Sequence, residues 1–347
     1  MKFSIVITNY NNESTLERAI RSALDQDYPN IEVICVDDAS TDRSLEKIKL
    51  FEEGENFIPI LHEENSGSSC SRLSGIERAS GDYLLFLDSD GMLTPNCCST
   101  LASVLQKKPY DILAFAVEIE HEPVESEPDE ADINAEFSPL CKDMDGESYR
   151  LAFYEERLIK HTLWNRCCSI ELARKTAAVM HKDYINLYDD YYFNFVSGRY
   201  VNSYFGIPDK LIRCSCGTGI PAGYAYTETK LVQDLNSVLN VFRRCREFSQ
   251  EQGLEESYFK HIELHEREQV FSFLKRIKLI PKSEHKEMIK LVLDNFGAEQ
   301  FIASLSDFYE DSFNAALAES NERLAGVYAS KRYKLGNILL YLPSKIK

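Results

Sequence analysis

The first 120 residues alternate between short apolar runs and segments with helical spacing, and no other feature of the sequence restricts the fold as strongly. Five apolar runs have the length of buried strands: residues 3–7, 31–36, 57–61, 82–87 and 111–117. Between the first four runs, apolar residues recur at the spacing of one helix face; they include Leu16, Ala19, Ile20, Ala23, Leu24, Leu45, Ile48, Phe51, Cys70, Leu73 and Ile76. Apolar strands separated by helices predict an α/β fold, with a mainly parallel sheet covered by helices on both faces.

Polar residues directly follow three of the predicted strands. They are residues 8–12 after the first strand, Asp37 and Asp38 after the second, and residues 88–90 (Asp-Ser-Asp) after the fourth. Ligands bind outside the carboxyl ends of the strands in such sheets, so we expect the three clusters to line one cleft. An Asp-x-Asp pair suits a divalent cation bound to a nucleotide diphosphate, because magnesium and manganese favour hard oxygen ligands. Taken alone, such a pair more often marks an acidic surface turn.

Charge and composition exclude several classes of function. The formal net charge of −17 argues against binding to nucleic acid. No run of about 18 apolar residues is present to span a membrane, and the N-terminal segment lacks the features of a signal peptide. The ten cysteines include two adjacent pairs, Cys97–Cys98 and Cys167–Cys168, so we expect reduced thiols in a cytoplasmic protein rather than disulfides.

Six segments, in chain order, resemble the motifs of glycosyltransferase family 2, whose members are nucleotide-sugar transferases with the GT-A fold. They are SIVITNYNN (4–12), VDDASTD (36–42), NSGSSCSRLSG (65–75), SGDYLLFLDSD (80–90), LWNR (163–166) and DDYYF (189–193). The first four are specific in combination, whereas the last two are looser. The resemblance implies a Rossmann-like GT-A fold. It also implies an inverting, metal-dependent transfer of a sugar from a nucleotide-diphosphate sugar, with UDP as the expected nucleotide.

The resemblance assigns the nucleotide base to residues at the ends of the first two strands. Thr8 and Tyr10 would lie at the base, with the Tyr10 ring stacked on uracil. Asp38 would accept a hydrogen bond from the N–H group of the uracil ring.

The resemblance assigns the other parts of the nucleotide sugar, which is the donor substrate, to positions on the third predicted helix and the fourth predicted strand. Arg72 would approach the diphosphate, and a guanidinium can bind phosphate oxygens through two parallel hydrogen bonds. The alternative for Arg72 is a solvated arginine on a helix. Asp88 and Ser89 would contact the nucleotide sugar, with Asp88 facing the ribose. Asp90 would bind the divalent cation, manganese or magnesium, with Asp88 as a second ligand.

The acceptor side is assigned through the last two motifs. An inverting transferase needs a base to take the proton of the attacking hydroxyl, and the resemblance gives this role to Asp190. Asp189 stands where the family usually has glutamate, so it is the second candidate, and a helix capped by Asp189 is compatible with either. The resemblance also places Trp164 and Arg166 near the acceptor, while core packing is an equal alternative for Trp164.

Other interpretations fit parts of the sequence. A sugar-1-phosphate nucleotidyltransferase also has an α/β nucleotide site, but residues 8–12 do not form its glycine-rich phosphate loop. A non-catalytic nucleotide-sugar-binding module is disfavoured because every expected polar residue is present. His261 and His265 have the spacing of zinc ligands, but Glu263 is misplaced for a zinc protease motif, so a solvated helix face is expected.

We expect three regions along the chain. The GT-A catalytic domain spans residues 1–224 and comprises a nucleotide-sugar-binding half (1–120), a flexible acidic insertion (121–147) and an acceptor-side half (148–224). A helical region follows over residues 225–328, and the chain closes with a basic amphipathic tail, residues 329–347.

The basic tail predicts a membrane partner. It contains five cations and no acidic residue, with apolar residues between the basic clusters. Such a segment can attach to anionic lipid, which would place the protein on the cytoplasmic face of a membrane near a glycan or lipid-linked acceptor. Bacterial surface polysaccharide synthesis is the expected process by analogy. The alternative is a tail that packs on the helical region or is disordered.

Overall fold

The structure, a computed structural model, describes residues 1–120, 137–215, 227–277, 281 and 285–297. The chain divides into two compact units, Met1–His265 and Glu266–Lys347, and the first contains all six sequence motifs. The basic tail and residues 121–136 of the acidic insertion lie outside the described residues. The domain boundary expected after residue 224 stays a prediction.

Four parallel strands form the half of the sheet that carries the polar clusters. In the spatial order β3-β2-β1-β4, they are β1 (Phe3–Asn9), β2 (Ile31–Asp37), β3 (Phe57–Leu61) and β4 (Tyr83–Asp88). The helices that connect them are α1 (Leu16–Leu24), α2 (Ser44–Lys49) and α3 (Ser68–Arg78). The predicted strands and helices of this half are confirmed.

The other half of the sheet mixes strand directions. Its strands are β5 (Met92–Leu93), β6 (Ile112–Glu120), β7 (Met144–Asp145), β8 (Arg166–Ser169) and β9 (Ser203–Ser215). β8 lies antiparallel between β4 and β6, and β6 pairs with β9 in parallel. β5 and β7 pair with β9 antiparallel. The long pairings are all parallel, so the prediction of a mainly parallel sheet is confirmed.

β1 shows why the parallel half is buried on both faces. Phe3, Ile5 and Ile7 are fully buried in an apolar core that also takes in the inner face of α1. On the opposite face, α3 lies so close that a Cβ at Gly75 would come within 2.3 Å of Val6 Cγ1. Because glycine lacks that carbon, Gly75 allows α3 to pack directly on the strand.

The remaining described helices are α4 (Cys97–Leu105), α5 (Gly146–Arg150), α6 (Ile170–Ala177), α7 (Asp189–Gly198), α8 (Glu228–Glu251), α9 (Glu256–Ile277) and α10 (His285–Phe296). A π-helical turn, Leu151–Glu155, follows α5 directly. The helices from α8 onward confirm the expected C-terminal helical region. Within the described segments, no helix has the length and apolar content needed to cross a bilayer.

The end of the acidic insertion, residues 137–147, is attached to the fold by two apolar side chains. Phe137 packs against Trp164, with ring centroids 5.4 Å apart, and Met144 in β7 is 3% exposed. Cys141, Lys142 and Asp143 between these two apolar side chains are exposed. The expectation of a solvated segment is therefore wrong at Phe137 and Met144, and it stays a prediction for the rest of the insertion.

The expectation that His261 and His265 lie on a solvated helix face is also wrong. Their exposed fractions are 2% and 7%. Tyr154 and Tyr191 lie against His261, with ring centroids 5.4 and 5.8 Å away. Burial lowers the pKa of His261 to about 4. The charged residues around the two histidines suggest a solvated helix, but the histidines themselves face the aromatic interior.

Candidate active site

The polar clusters converge at the carboxyl edge of β1, β2 and β4. Strand register places Asn9 beside Asp37, and the Asn9 side-chain amide donates a hydrogen bond of 2.7 Å to Asp37 Oδ1. Asn12 reaches across to β4 and donates to Ser89 Oγ at 3.0 Å. The residues after the three strands therefore form one continuous polar edge. The family resemblance assigns the nucleotide sugar to this edge.

Asp38 is a buried carboxylate that organises the loop before α3. It is 3% exposed, and its Oδ1 accepts from His62 Nδ1 at 2.7 Å and from the Ser66 N–H at 2.9 Å. Its Oδ2 accepts from the Gly67 N–H at 2.8 Å. Among the contacts of the described residues, this is the only hydrogen bond to Oδ2, so that oxygen retains a lone pair for a ligand.

His62 is a site residue that the sequence reasoning missed. Its second ring nitrogen contacts Ser74 Oγ at 2.9 Å, so the imidazole links Asp38 to α3. His62 directly follows β3 and is thus a polar residue at a strand end. The criterion that selected the other clusters would have selected it as well.

Tyr10 and Thr8 occupy different positions at the edge. The Tyr10 side chain is exposed, at 49%, and can offer a ring face to a planar base. Thr8 is half-buried and lies beside Asp88 in the register of β1 and β4. Both are therefore located where a nucleotide could contact the carboxyl ends of the strands.

Arg72 joins the two halves of the candidate site. It is 7% exposed, and its Nη2 donates to Asp88 Oδ1 at 2.8 Å. Its Nη1 forms an ion pair with Asp189 Oδ2. The guanidinium also lies over the Phe86 ring, 5.7 Å from the centroid. Arg72 is therefore not a solvated helix arginine, because it neutralises carboxylates from β4 and from α7.

The carboxylates at the end of β4 fit a divalent cation that is shared with a ligand. Asp90 is half-buried, and its main-chain carbonyl accepts from Arg18 Nη2 at 2.7 Å. The Asp88 side chain is 39% exposed. No cluster of three or more metal-binding side chains occurs in the segments that the structure describes. Magnesium commonly binds one or two carboxylates and completes its coordination shell with substrate phosphates and water. Asp88 and Asp90 therefore fit as its protein ligands.

Asp189 and Asp190 lie in the first turn of α7 but have different surroundings. Asp189 is 8% exposed and faces Arg72. Asp190 is half-buried, and its Oδ1 accepts from the Tyr191 N–H at 2.7 Å. The residue that precedes the helix is Tyr188, and Asp189 is the first residue of α7, so the alternative of an Asp189 cap does not apply. Asp190 is therefore the carboxylate of the pair that is not held by the guanidinium.

Trp164 and Arg166 lie on the β8 side of the site. Trp164 is half-buried against Phe137. Arg166 is 5% exposed and donates to Asn194 Oδ1 at 2.8 Å and to the Lys160 carbonyl at 2.6 Å. Because both terminal guanidinium nitrogens of Arg166 donate to other groups of the protein, the geometry favours a structural role in which Arg166 holds α7. Contact with an acceptor stays a prediction for both residues.

Solved structures show where this architecture occurs. S. aureus TarS 1–349 in complex with UDP-GlcNAc aligns with a TM-score of 0.55 and 16% identity, over 90% of this chain and 92% of that one. The mannosyltransferase PcManGT from Pyrobaculum calidifontis, in complex with GDP-Man and Mn²⁺, aligns with a TM-score of 0.50 and 12% identity, over 96% and 82%. At these identities the likeness concerns the fold alone. The fold is that of the GT-A transferases.

Sequence relatives define the family. A model described as "Glycosyl transferase family 2" matches residues 4–178, half of the chain. The chain therefore belongs to glycosyl transferase family 2. One relative, the "Putative teichuronic acid biosynthesis glycosyltransferase TuaG" of Bacillus subtilis (strain 168), is 40% identical over 88 residues, which is 25% of this chain and 35% of that protein. The chain matches about a third of the length of such curated relatives.

Proposed function

We propose that the protein is an inverting glycosyltransferase that moves a sugar from a UDP-sugar to a hydroxyl group of a glycan or lipid-linked acceptor. One observation carries the proposal: Arg72 contacts Asp88 at the end of β4 and Asp189 at the start of α7. This contact supports a single site that contains the carboxyl edge of β1, β2 and β4, here called the donor edge, and Asp190, the residue that follows Asp189. The complex of TarS with UDP-GlcNAc, which has the same fold, supports the choice of donor.

The donor edge would recognise the nucleotide through residues of β1 and β2. The exposed Tyr10 ring stacks on the base, with Thr8 beside it. The remaining lone pair of Asp38 Oδ2 accepts from the uracil N–H group, and the bonds from Ser66 and Gly67 hold the carboxylate in place. Asp88 and Ser89 contact the nucleotide sugar, while Arg72 lies near enough to Asp88 to approach the diphosphate.

Asp90, with Asp88 as a second ligand, would hold a divalent cation. When bound, magnesium or manganese offsets negative charge on the diphosphate as it departs. The two carboxylates match the small protein contribution that magnesium requires when phosphates supply the other ligands. The Mn²⁺ in PcManGT, a transferase of similar fold, is in agreement.

Asp190 would act as the base. It takes the proton of the acceptor hydroxyl while the hydroxyl oxygen attacks the anomeric carbon and the bond to the diphosphate breaks. This single displacement inverts the configuration at the anomeric carbon and needs no covalent enzyme intermediate. The ion pair of Asp189 with Arg72 favours Asp190 for this role, because the Asp189 oxygen is already engaged by a cation.

We further propose that the protein works on the cytoplasmic face of a membrane in surface polysaccharide synthesis. The relative TuaG, whose name refers to teichuronic acid biosynthesis, supports the process. The membrane attachment is supported by the sequence of the basic tail alone. Truncation before Ala329 should release the protein from anionic vesicles in a sedimentation assay without changing UDP binding. Equal sedimentation of the truncated and full-length proteins would contradict the attachment.

A donor panel tests the proposed reaction. The protein is incubated with Mn²⁺ and each UDP-sugar, with and without candidate acceptors, and UDP release is measured. Release from one or a few UDP-sugars, lost in EDTA, is expected. A sugar-1-phosphate nucleotidyltransferase would instead form pyrophosphate from UTP and a sugar 1-phosphate. A non-catalytic module would bind UDP-sugar without releasing UDP, and either result would contradict the proposal.

A further inference from the structure

The turn that begins α7 has an unusual backbone conformation. Tyr188, the residue directly before Asp189, has φ +68° and ψ +18°, in the left-handed region that non-glycine residues rarely adopt. Its side chain makes no capping hydrogen bond to the helix. A residue stays in such a conformation only when surrounding contacts hold it there. The contacts of Tyr188 are therefore relevant to where Asp189 and Asp190 lie.

The Tyr188 side chain contacts His265 of α9, 77 residues later in the chain. The Tyr188 hydroxyl and His265 Nδ1 form a hydrogen bond of 2.7 Å. The Tyr188 ring stacks on Tyr191, with centroids 4.8 Å apart and an interplanar angle of 15°. Phe242 of α8 lies 5.8 Å from the same ring. These contacts fix the ring direction, and the hydrogen bond fixes the position of its tip.

His265 is suited to a permanent hydrogen bond. It is 7% exposed, and the rings of Tyr191 and His261 lie 4.6 and 4.5 Å from its own. Burial, together with the neighbouring His261 and His161, lowers the pKa of His265 to about 2. The imidazole is therefore neutral at physiological pH, and its Nδ1 can form one hydrogen bond with the tyrosine hydroxyl.

We propose that His265 is a positioning residue for sugar transfer. Through the Tyr188 hydroxyl it holds the left-handed turn, and this turn directs Asp189 toward Arg72 and presents Asp190 to the acceptor. The inference rests on the proposed function, in which Asp190 takes the acceptor proton. His265 would thus be a site residue from the helical region, outside the six segments that resemble the family motifs.

Substitutions that remove the hydrogen bond and keep an aromatic ring test the proposal. Tyr188→Phe and His265→Phe should each lower kcat by roughly 10- to 100-fold, the range for a misplaced catalytic group. The KM for the donor should rise by a smaller factor than kcat falls, and by less than in Asp189→Asn, because Asp189 keeps its charge in both variants. Since both changes break one contact, the double variant should be no slower than the slower single variant. His265→Gln, whose amide can still bond to the hydroxyl, should recover part of the rate.

A matched control separates positioning from general stability. His261→Phe alters a buried histidine one helical turn earlier, whose Nδ1 contacts the Tyr154 carbonyl at 2.9 Å rather than the Tyr188 hydroxyl. At temperatures where all variants are folded, this variant should keep the wild-type kcat. Unchanged kcat in Tyr188→Phe and His265→Phe, or an equal loss in His261→Phe, would overturn the proposal.

Hydrogen–deuterium exchange provides a readout that does not depend on activity. Peptides covering residues 186–194 should exchange faster in Tyr188→Phe and His265→Phe than in the wild type or in His261→Phe. If the wild-type protein transfers no sugar, the proposed function fails, and exchange alone decides the positioning role. Faster exchange confined to this turn supports the role of His265, and unchanged exchange overturns it.

Discussion

At the scale of single residues, Asp38 combines two tasks that substitutions can separate. It holds the turn at Ser66 and Gly67, and we propose that it reads the uracil ring. Asp38→Ala should weaken UDP binding by about 1.5–3 kcal/mol, the usual contribution of a hydrogen bond to a charged group. Titration calorimetry with UDP measures this change.

Two comparisons distinguish the tasks of Asp38. His62→Phe removes a donor to the same carboxylate but leaves the oxygen that faces Gly67 in place, so it should weaken UDP binding less than Asp38→Ala does. Pyrophosphate, which lacks the base, should bind Asp38→Ala and the wild type equally well. An equal loss of affinity for pyrophosphate and for UDP would show that Asp38 does not read the base.

The cation proposal also concerns a single residue. Asp90→Asn should remove most of the turnover while the protein stays folded, because a neutral amide is a weaker ligand for a hard cation than a carboxylate. UDP release in a manganese titration and thermal unfolding measure the two effects. Asp209→Asn, which alters an exposed carboxylate of β9, is the control. Wild-type turnover of Asp90→Asn, or full activity in EDTA, would contradict the assignment.

Sequence reasoning finds some of these residues and misses others for a physical reason. Asp38 and Asp90 could be predicted because parallel strands end at one edge, so residues after each strand converge. The partners of Arg72 could not be predicted, since Asp189 follows it by more than 100 positions and only packing brings the two together. The sequence places His265 on a solvated face because Glu263, Glu266 and Arg267 lie close to it in the chain.

At the scale of elements, Glu32 joins the amino-terminal ends of the strands. It lies in β2, is 4% exposed, and accepts from Lys2 Nζ at 2.7 Å, Ser4 Oγ at 2.5 Å and the Ser80 N–H at 2.6 Å. Burial raises the pKa of Glu32, but these hydrogen bonds outweigh it and lower the pKa to about 2. The ionised carboxylate therefore stabilises the contact of β1, β2 and the turn before β4.

The lowered pKa of Glu32 predicts a specific dependence of stability on pH. Because the folded pKa of about 2 lies below the usual 4.5, the stabilisation is complete above about pH 4.5 and is lost as the pH falls towards 2. Glu32→Gln should lower the free energy of unfolding at pH 7 and flatten its decline between these pH values. Urea unfolding across this range measures it.

Glu171→Gln is the control for this experiment, because Glu171 forms an exposed pair with Lys175 that contributes little. Its free energy of unfolding should stay close to that of the wild type. If Glu32→Gln showed the same decline of stability with acid as the wild type, Glu32 would not be the group responsible.

Elements could be predicted from sequence where they are long and apolar. The strands from β1 to β4 and the helices between them follow the hydrophobic pattern, and Gly75 lets α3 lie on β1. The short strands β5, β7 and β8 could not be predicted, since two to four residues carry no usable periodicity. β8 even begins with Arg166, a buried charge whose side-chain partner, Asn194, lies in α7.

At the scale of the whole molecule, the candidate site depends on parts of the chain that are far apart in sequence. The family model ends at residue 178, before Asp189 and Asp190. The assignment of the base therefore rests on geometry and on the looser DDYYF motif. The basic guanidinium of Arg72 gives the physical reason for the arrangement, because it offsets the repulsion between Asp88 and Asp189 within an acidic protein of net charge −17.

The turnover of the two neighbouring carboxylate variants tests the assignment of Asp190 as the base. Asp190→Asn should reduce sugar transfer by about 10²- to 10⁴-fold, the range of general acid–base catalysis, while UDP binding measured by calorimetry stays nearly unchanged. Asp189→Asn should keep more of the turnover and weaken donor binding, because it releases Arg72. Transfer by Asp190→Asn at the wild-type rate, with the loss found in Asp189→Asn alone, would contradict the account.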